Sequence, residues 1–417
     1  MPVTVQMLLS VSIVIIAVRA VGQLLIRIGQ PRVIGEIIAG ILLGPGVLGV
    51  IWPEALETLF PDAIIGAFRS LAQIGLILFI FLIGVELNVA GLRRVGRRAG
   101  VISGVSVVVP FLLGAGLGAL LYQRFGQGVG LLGFSLFLGA AIAITAFPVL
   151  ARLLQETGLF HTRAGVLAIT CAAIDDVVAW CLLATVVAVM TSASPAGVVV
   201  LVVLAATYVV FMVAAVRPVL ARLAPLPLWL ALVVTFVSAW ITEAIGIHAL
   251  FGAFLAGAVM PRDERWRRAV QERLQAPVEI LLLPLFFVIV GLSTRVDGLG
   301  SWALIGVFLL VTAVAVVGKL GGATVAARIS GEPWSRSVAI GVLMNTRGLT
   351  EIVILTAGLE LGVIGTEMFT IMVLMAIATT VMAPPLLRRL GRYDAVSAAD
   401  TALAESAGPK LTAKKHG

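Results

Sequence analysis

Residues 164–190 read AGVLAITCAAIDDVVAWCLLATVVAVM, an apolar run whose only charged residues are the adjacent Asp175 and Asp176. As an α-helix the run is long enough to cross a hydrocarbon layer of about 30 Å. A carboxylate near the middle of such a helix costs roughly 2.5–3.5 kcal/mol even on lenient insertion scales, so it needs a partner, a water-filled cavity or a function. The pair therefore marks a candidate functional site.

Similar apolar runs recur along the whole chain. Its 417 residues are 60% hydrophobic and 12% charged, a composition that excludes the water-soluble globular class. Because lipid cannot satisfy backbone polar groups, segments of this length must be helices. The sequence therefore predicts an all-α membrane protein with about thirteen transmembrane helices. The predicted spans are residues 5–26, 31–50, 63–87, 99–122, 128–152, 164–190, 197–216, 226–245, 246–261, 276–293, 301–327, 335–358 and 364–387.

The formal charge of +8 reflects orientation rather than a nucleic-acid partner. With the amino terminus placed outside, most Lys and Arg residues fall in connections assigned to the cytoplasm, including the clusters at 93–98 and 262–273. Only Arg69, Arg124 and Arg295 fall on the other side. This positive-inside bias predicts a multi-pass plasma-membrane protein with an external amino terminus and a cytoplasmic carboxyl terminus.

Neither the termini nor the cysteines suggest a further module or a cofactor. The first span lacks a charged n-region and a cleavage site, so we expect a retained helix and not a signal peptide. Residues 394–417 are polar and Ala-rich, which predicts a short disordered tail without a soluble regulatory module. Cys171 and Cys181 lie ten residues apart on one predicted helix, too far to bridge, and no metal site or enzyme chemistry follows from them.

Two predicted spans are interrupted by polar or helix-breaking residues. Thr145-Ala146-Phe147-Pro148 interrupts span 128–152, and residues 345–351, NTRGLTE, interrupt span 335–358. These are the fifth and twelfth spans, so they cross the membrane in opposite directions, as an inverted repeat of spans 4–6 and 11–13 requires. Paired breaks of this kind point to a transporter's binding site. An ordinary kink at Pro148 without any repeat is the alternative.

The aspartate pair has the chemistry of an exchange site. Adjacent helical residues point about 100° apart, so one carboxylate can meet a fixed base while the other faces a cavity. A desolvated carboxylate binds either a proton or a hard cation, and competition between these two ligands is the basis of exchange. Thr145 and the carbonyl groups freed by its break offer further oxygen ligands. The simpler alternative is an ion pair that only holds helices together.

Other polar residues within the spans are candidate partners. Lys319 is expected to pair with one aspartate, unless it extends to the cytoplasmic surface. Arg347 and Glu351, four residues apart, are expected to pair with each other or to offset the dipoles of the broken helix. Glu86 and Asn345 are candidate supporting residues.

The order of motifs resembles that of the second cation:proton antiporter family, which contains bacterial Na⁺/H⁺ exchangers, Kef-type potassium systems and plant cation/proton exchangers. The motifs cover residues 21 to about 390. They are Gln30-Pro31-Arg32-Val33-Ile34-Gly35-Glu36 with Leu43-Gly44-Pro45, Gly84-Val85-Glu86-Leu87, Thr145-Ala146-Phe147-Pro148, Ile174-Asp175-Asp176-Val177, Phe251-Gly252-Ala253-Phe254-Leu255-Ala256-Gly257, Leu283-Pro284-Leu285-Phe286-Phe287, Gly318-Lys319 and Met344-Asn345-Thr346-Arg347-Gly348-Leu349.

The resemblance implies a homodimer with a fixed dimerisation domain and a core that moves like an elevator. It implies dimerisation helices at 1–98 and 226–293, core halves at 99–190 and 301–390, a linker span at 191–225 and a tail at 394–417. By the family pattern Asp176 is the carboxylate that binds cation and proton, Asp175 is its variable neighbour, and Lys319 is the lysine of the pair. An Asp-Asp pair with a core lysine resembles electrogenic exchangers, whereas the flanking sequence resembles plant members, so the stoichiometry stays open.

The predicted function is secondary antiport of a monovalent cation, Na⁺ or K⁺, against protons by alternating access, with both ligands competing for Asp176. The alternatives are a channel-like K⁺ efflux protein and a symporter on the same scaffold. A Mg²⁺-dependent membrane enzyme is disfavoured because no third acid accompanies the pair.

Overall fold

The structure is a computed structural model. It describes residues 2–86, 89–126, 128–160, 162–191, 195–223, 225–246, 248–261, 263–295 and 301–390. Side chains are described throughout these ranges except at 89–98 and at several positions between 188 and 198. The predicted tail at 394–417 and the side chains of the arginine cluster at 93–98 lie outside this description.

The described segments are helical. The α-helices are α1 Val3–Arg27, α2 Arg32–Leu42, α3 Leu48–Ile51, α4 Pro53–Leu59, α5 Asp62–Glu86, α6 Val89–Phe125, α7 Leu131–Ala143, α8 Phe147–Glu156, α9 Arg163–Thr191, α10 Pro195–Phe211, α11 Arg217–Arg222, α12 Leu228–Ile245, α13 Ala249–Val259, α14 Glu264–Pro277, α15 Leu283–Ser293, α16 Trp302–Val316, α17 Gly322–Ile329, α18 Trp334–Met344, α19 Leu349–Glu360 and α20 Thr366–Arg389. Wider π-helical turns join α10 to α11, α14 to α15 and α16 to α17, at Met212–Val216, Val278–Leu282 and Val317–Gly321.

Eleven of the helical segments within the described ranges are long and apolar enough to cross a membrane. The expectation of thirteen full spans is not confirmed. The predicted spans 31–50 and 246–261 contain helices of 11 residues each, α2 and α13, and each helix is only about 16 Å long. Residues that interrupt helical geometry explain both short helices. Gly44 and Pro45 follow α2, and Gly246, with a φ of 94°, ends α12 just before α13.

The two predicted helix breaks are present, and they meet. The chain leaves helical geometry between α7 and α8 and again between α18 and α19. At the crossing, the N–H of Ala146 donates to the carbonyl of Thr346 at 3.3 Å. The Thr145 hydroxyl donates to the carbonyl of Met344 at 2.9 Å. Each break therefore supplies polar groups that the other one left unpaired, which makes the unwound segments tolerable inside a membrane protein.

Two groups of helices pack tightly within themselves. In one group α2, α5, α13 and α15 approach closely through glycines, with Gly40 against Gly291 and Gly84 against Gly257. Small residues allow this close backbone approach, which drives helix association in lipid. In the other group α6, α7, α9, α17 and α18 surround the crossing of the broken helices. The finer domain boundaries expected from the sequence remain a prediction.

Candidate functional site

Asp175 lies on α9 and is surrounded by hydrogen-bond donors. Its side chain is fully buried, and its Oδ2 lies 2.8 Å from the ammonium nitrogen of Lys319. Three hydroxyl groups lie within hydrogen-bond distance of this carboxylate: Ser103 at 2.7 Å, Ser106 at 3.3 Å and Thr145 at 3.0 Å. The single protons of Ser106 and Thr145 each have a backbone carbonyl as a second acceptor. Both oxygens of the carboxylate therefore have hydrogen-bond donors within reach.

Lys319 meets Asp175 from the π-helical turn that joins α16 to α17. Its side chain is fully buried, which is incompatible with the alternative in which it extends to the surface. Besides Asp175, its ammonium group donates to the carbonyls of Ser106 and Ala143, at 2.9 and 2.5 Å. All three ammonium protons therefore have acceptors. The ion pair is complete in charge and in hydrogen bonding.

Asp176 has the opposite environment. It is 1% exposed, yet neither side-chain oxygen accepts a hydrogen bond from any described residue. The backbone N–H of Phe147, at the start of α8, is the donor group that faces it, and the charges that act on it are those of Asp175 and Lys319. A buried carboxylate without a fixed charged partner is unfavourable as a bare anion.

A second buried ion pair stabilises the crossing of the broken helices. The guanidinium of Arg347 lies 3.0 Å from Oε1 of Glu351 and also donates to the carbonyls of Ala141 and Ile142. Those carbonyls lie at the carboxyl end of α7, whereas Glu351 lies in the first turn of α19. The positive charge thus meets a negative helix end and the negative charge a positive one. Both expected roles of this pair occur together.

The two supporting candidates are placed differently. Asn345, in the break after α18, is 2% exposed and its side-chain oxygen has no hydrogen-bond partner among the described residues. It is therefore an available oxygen ligand near the crossing. Glu86 ends α5 at an exposed position and accepts a hydrogen bond from Gln271 at 2.6 Å. It lines the approach to the site and does not contact the aspartate pair.

An open cavity of about 550 Å³ reaches Phe147, whose backbone N–H faces Asp176. It lies between the group of α2, α5, α14 and α15 on one side and α8 on the other, and Phe147 and Pro148 form part of its wall. Its lining carries both signs of charge, with Glu36, Glu86 and Glu279 beside Arg19, Arg32, Arg152 and Arg267. Glu36 pairs with Arg32 at 3.1 Å.

The boundary between the two helix groups is nearly closed at its opposite end. There a cavity of only about 40 Å³ lies between α5, α13, α15 and α19. Phe287 lines the large cavity and Phe286 the small one, and their ring centroids lie 5.6 Å apart. This aromatic pair on α15 therefore separates an open approach from a closed one.

Sequence reasoning missed Ser103 and Ser106. They lie three residues apart on α6, which places them on one face of an otherwise apolar helix, and that spacing was the available signal. It also missed the π-helical turn at Val317–Gly321, a local form that is often found at functional sites.

Together, the crossed breaks and the buried charges define a helical ion transporter, and comparison with known proteins gives its family. The family model for the transmembrane part of sodium/hydrogen exchangers matches residues 10–392. The chain belongs to this family of monovalent cation/proton antiporters, which confirms the resemblance drawn from the motifs.

Individual relatives agree. The Na⁺/H⁺ antiporter NhaS4 of Synechocystis is 40% identical over 400 residues, covering 93% of this chain and 98% of the relative. Cation/H⁺ antiporter 19 of Arabidopsis thaliana is 38% identical over 91% of this chain, but the chain spans only 49% of that protein. It likewise spans about half of the other Arabidopsis relatives.

A solved structure shows the same fold. The sodium proton antiporter MjNhaP1 from Methanocaldococcus jannaschii matches with a TM-score of 0.64 at 14% identity, covering 92% of this chain and 98% of the other. The predicted antiporter-like fold is confirmed.

Proposed function

We propose that this protein exchanges a monovalent cation, Na⁺ or K⁺, for protons, and that the two ligands compete for Asp176. The main support for this proposal is the difference in environment between the two adjacent carboxylates. Asp175 has a fixed cation and three hydroxyl donors, whereas Asp176 is equally buried and has none. Of the two carboxylates, only Asp176 lacks a fixed partner, so a ligand that binds and dissociates during transport neutralises its charge.

Oxygen atoms near the crossing suit a hard monovalent cation. Asp176 supplies a carboxylate, and Asn345 supplies an amide oxygen that no described residue uses. The single proton of the Thr145 hydroxyl has two acceptors in reach, Asp175 and the Met344 carbonyl, so its oxygen lone pairs are what it can offer to an ion. A proton bound at Asp176 removes the charge that holds the cation, which makes binding of the two mutually exclusive.

The two cavities support transport by alternating access. The large cavity reaches Phe147 beside Asp176, whereas the small cavity on the far side of Phe286 is nearly closed. We assign the open side to the cytoplasm from the positive-inside bias. Transport then requires the group around the broken helices to move past α15, so that Asp176 passes from one cavity to the other.

The remaining assignments rest on the family and on charge bias. We propose a homodimer in the plasma membrane with an external amino terminus. Chemical labelling of single cysteines near each terminus in intact cells tests the orientation, and native mass spectrometry of the detergent-solubilised protein tests the dimer. A monomeric mass or external labelling of the carboxyl end would overturn these assignments.

The function is tested in proteoliposomes loaded with a pH-sensitive dye. Addition of Na⁺, K⁺ or Li⁺ in turn should relieve a preset proton gradient, and the response to each ion defines the selectivity. Asp176→Asn should abolish the response. Glu57→Gln, which changes an exposed acid on α4, is the matched control and should keep it.

Cation-driven proton flux in Asp176→Asn would remove the assignment of the site. Cation flux that needs no opposing proton movement would instead indicate a channel.

A further inference from the structure

A separate cavity of about 670 Å³ lies beside the first turns of α14, on the side opposite the transport pathway. Its floor is apolar and buried, formed in part by Leu226, Trp266 and Val270, which are 3%, 8% and 2% exposed. The indole N–H of Trp266 donates to the Leu226 carbonyl at 2.6 Å. This bond joins α14 to the connection before α12, so the floor is a built surface with fixed walls.

Two arginines stand at the rim of this cavity, Arg265 and Arg273, both exposed. No described residue forms an ion pair with either one, although Arg267 and Arg268 on the same helix both lie near Glu264. The rim also carries Asp263, whose carboxylate accepts the backbone N–H of Arg265 at 2.8 Å and so caps the helix. The cavity therefore presents two unpaired guanidinium groups above an apolar floor.

The position of the cavity along the membrane normal follows from helix length. The helical segment Glu264–Ser293 has 30 residues, about 45 Å, and exceeds a hydrocarbon layer of about 30 Å. Its charged amino-terminal part must therefore lie outside the hydrocarbon. On the other wall α12 begins at Leu228, and Trp229 beside it is 66% exposed, as in the aromatic belts of membrane proteins. The cavity thus lies at the level of lipid headgroups.

We propose that this cavity binds an anionic glycerophospholipid. The phosphate lies between Arg265 and Arg273, whose planar forks match its oxygens, and an acyl chain covers the floor at Trp266 and Val270. A soluble phosphate would leave that floor in contact with water. A zwitterionic lipid would bring a second positive charge to the arginines. The combination of cationic rim, apolar floor and headgroup depth favours an anionic lipid over both.

The test is native mass spectrometry of delipidated protein in a neutral detergent, with dioleoylphosphatidylglycerol titrated in. The wild type should bind the first phosphatidylglycerol molecule more tightly than phosphatidylcholine with the same chains. Arg265→Ala/Arg273→Ala should weaken that binding by about tenfold or more and reduce the preference to that of the bare surface. Arg265→Lys/Arg273→Lys keeps the charge and should retain part of it.

Arg268→Ala is the matched control, since this arginine is on the same helix, is 76% exposed and does not line the cavity. It should bind phosphatidylglycerol as the wild type does. Equal loss in this control, or unchanged binding in the double alanine variant, would overturn the site. Displacement of the lipid by millimolar glycerol phosphate would overturn the lipid assignment and indicate that the cavity binds a soluble phosphate. The thermal unfolding midpoint of each variant shows whether the variant is folded. The shift of that midpoint on adding each lipid must rank the variants in the same order as the binding measurements.

Discussion

Asp175 and Asp176 are adjacent in sequence and identical in chemistry, and the fold gives them opposite environments. The first has a lysine and three hydroxyl groups as partners, whereas the second has no side-chain hydrogen bond within the described structure. A rotation of about 100° along α9 accounts for the difference. One face of α9 contacts α6 and the π-helical turn that carries Lys319, and the other face contacts the start of α8. Burial alone therefore does not distinguish the two carboxylates, whereas the absence of a fixed partner does.

The largest expected effect is that of Asp176→Asn, which should abolish exchange without lowering stability. The change removes a buried carboxylate that has no protein partner, so folding loses no hydrogen bond or ion pair. Proton flux in proteoliposomes and the thermal midpoint of the same preparation measure both halves. A large fall in the midpoint would show that Asp176 is held by the protein, and the contrast between the two carboxylates would fail.

The next effect is that of Lys319→Ala, which should destabilise the protein by about 3–5 kcal/mol because it leaves Asp175 buried without its cation. Reversible unfolding in mixed micelles measures the change in free energy. Adding Asp175→Asn to this variant should recover much of the loss, since both charges are then gone. A double variant no more stable than the single one would show that the two residues are not coupled.

A smaller, qualitative effect concerns the charge moved in each cycle. One carboxylate that carries either one cation or one proton gives electroneutral exchange, so net current needs a second titrating group. We expect the wild type to produce current on a solid-supported membrane, with the Asp175–Lys319 pair as that second group. The variant Asp175→Asn/Lys319→Ala should still exchange ions but without net current. Equal current per ion exchanged in both proteins would exclude the pair from charge movement.

The smallest effects distinguish the two serines on Asp175. Ser103 donates at 2.7 Å, whereas the single hydroxyl proton of Ser106 has two acceptors, Asp175 at 3.3 Å and the Ser103 carbonyl at 3.0 Å. Ser103→Ala should therefore cost about 1.5–3 kcal/mol, as expected for a bond to a charged group, and Ser106→Ala about 1 kcal/mol. Both variants should keep exchange. The reverse ranking would mean that the hydroxyl of Ser106 is the main donor.

Much of this arrangement was accessible from the sequence. Apolar runs of about 20 residues gave the spans, and the residues around Pro148 and Arg347 gave both breaks, because membrane burial makes each departure from helix conspicuous. The pairing of Arg347 with Glu351 followed from their spacing.

The rest depended on packing. Lys319 was expected to pair with one of the two aspartates. Which one it contacts depends on how α9 is rotated relative to the π-helical turn that carries Lys319, and residue types alone do not determine that rotation. The serines of α6 escaped notice because a serine in a membrane helix can satisfy its hydroxyl on its own backbone. The length of α2 and α13 depended on where glycines end neighbouring helices.

The shell around Asp175 also has a mechanical consequence. Its donors come from α6, from the break after α7 and from the turn before α17, and the carboxylate itself is on α9. Sliding α9 against the turn before α17 would break the buried ion pair, which is among the costliest single losses in a protein interior. Sliding α6 or the break after α7 would remove hydrogen bonds from the Asp175 carboxylate. The block that carries Asp176 is therefore stiff. Deformation during a cycle must concentrate at its outer surface and in the connecting loops, and amide hydrogen exchange should be slowest inside the block.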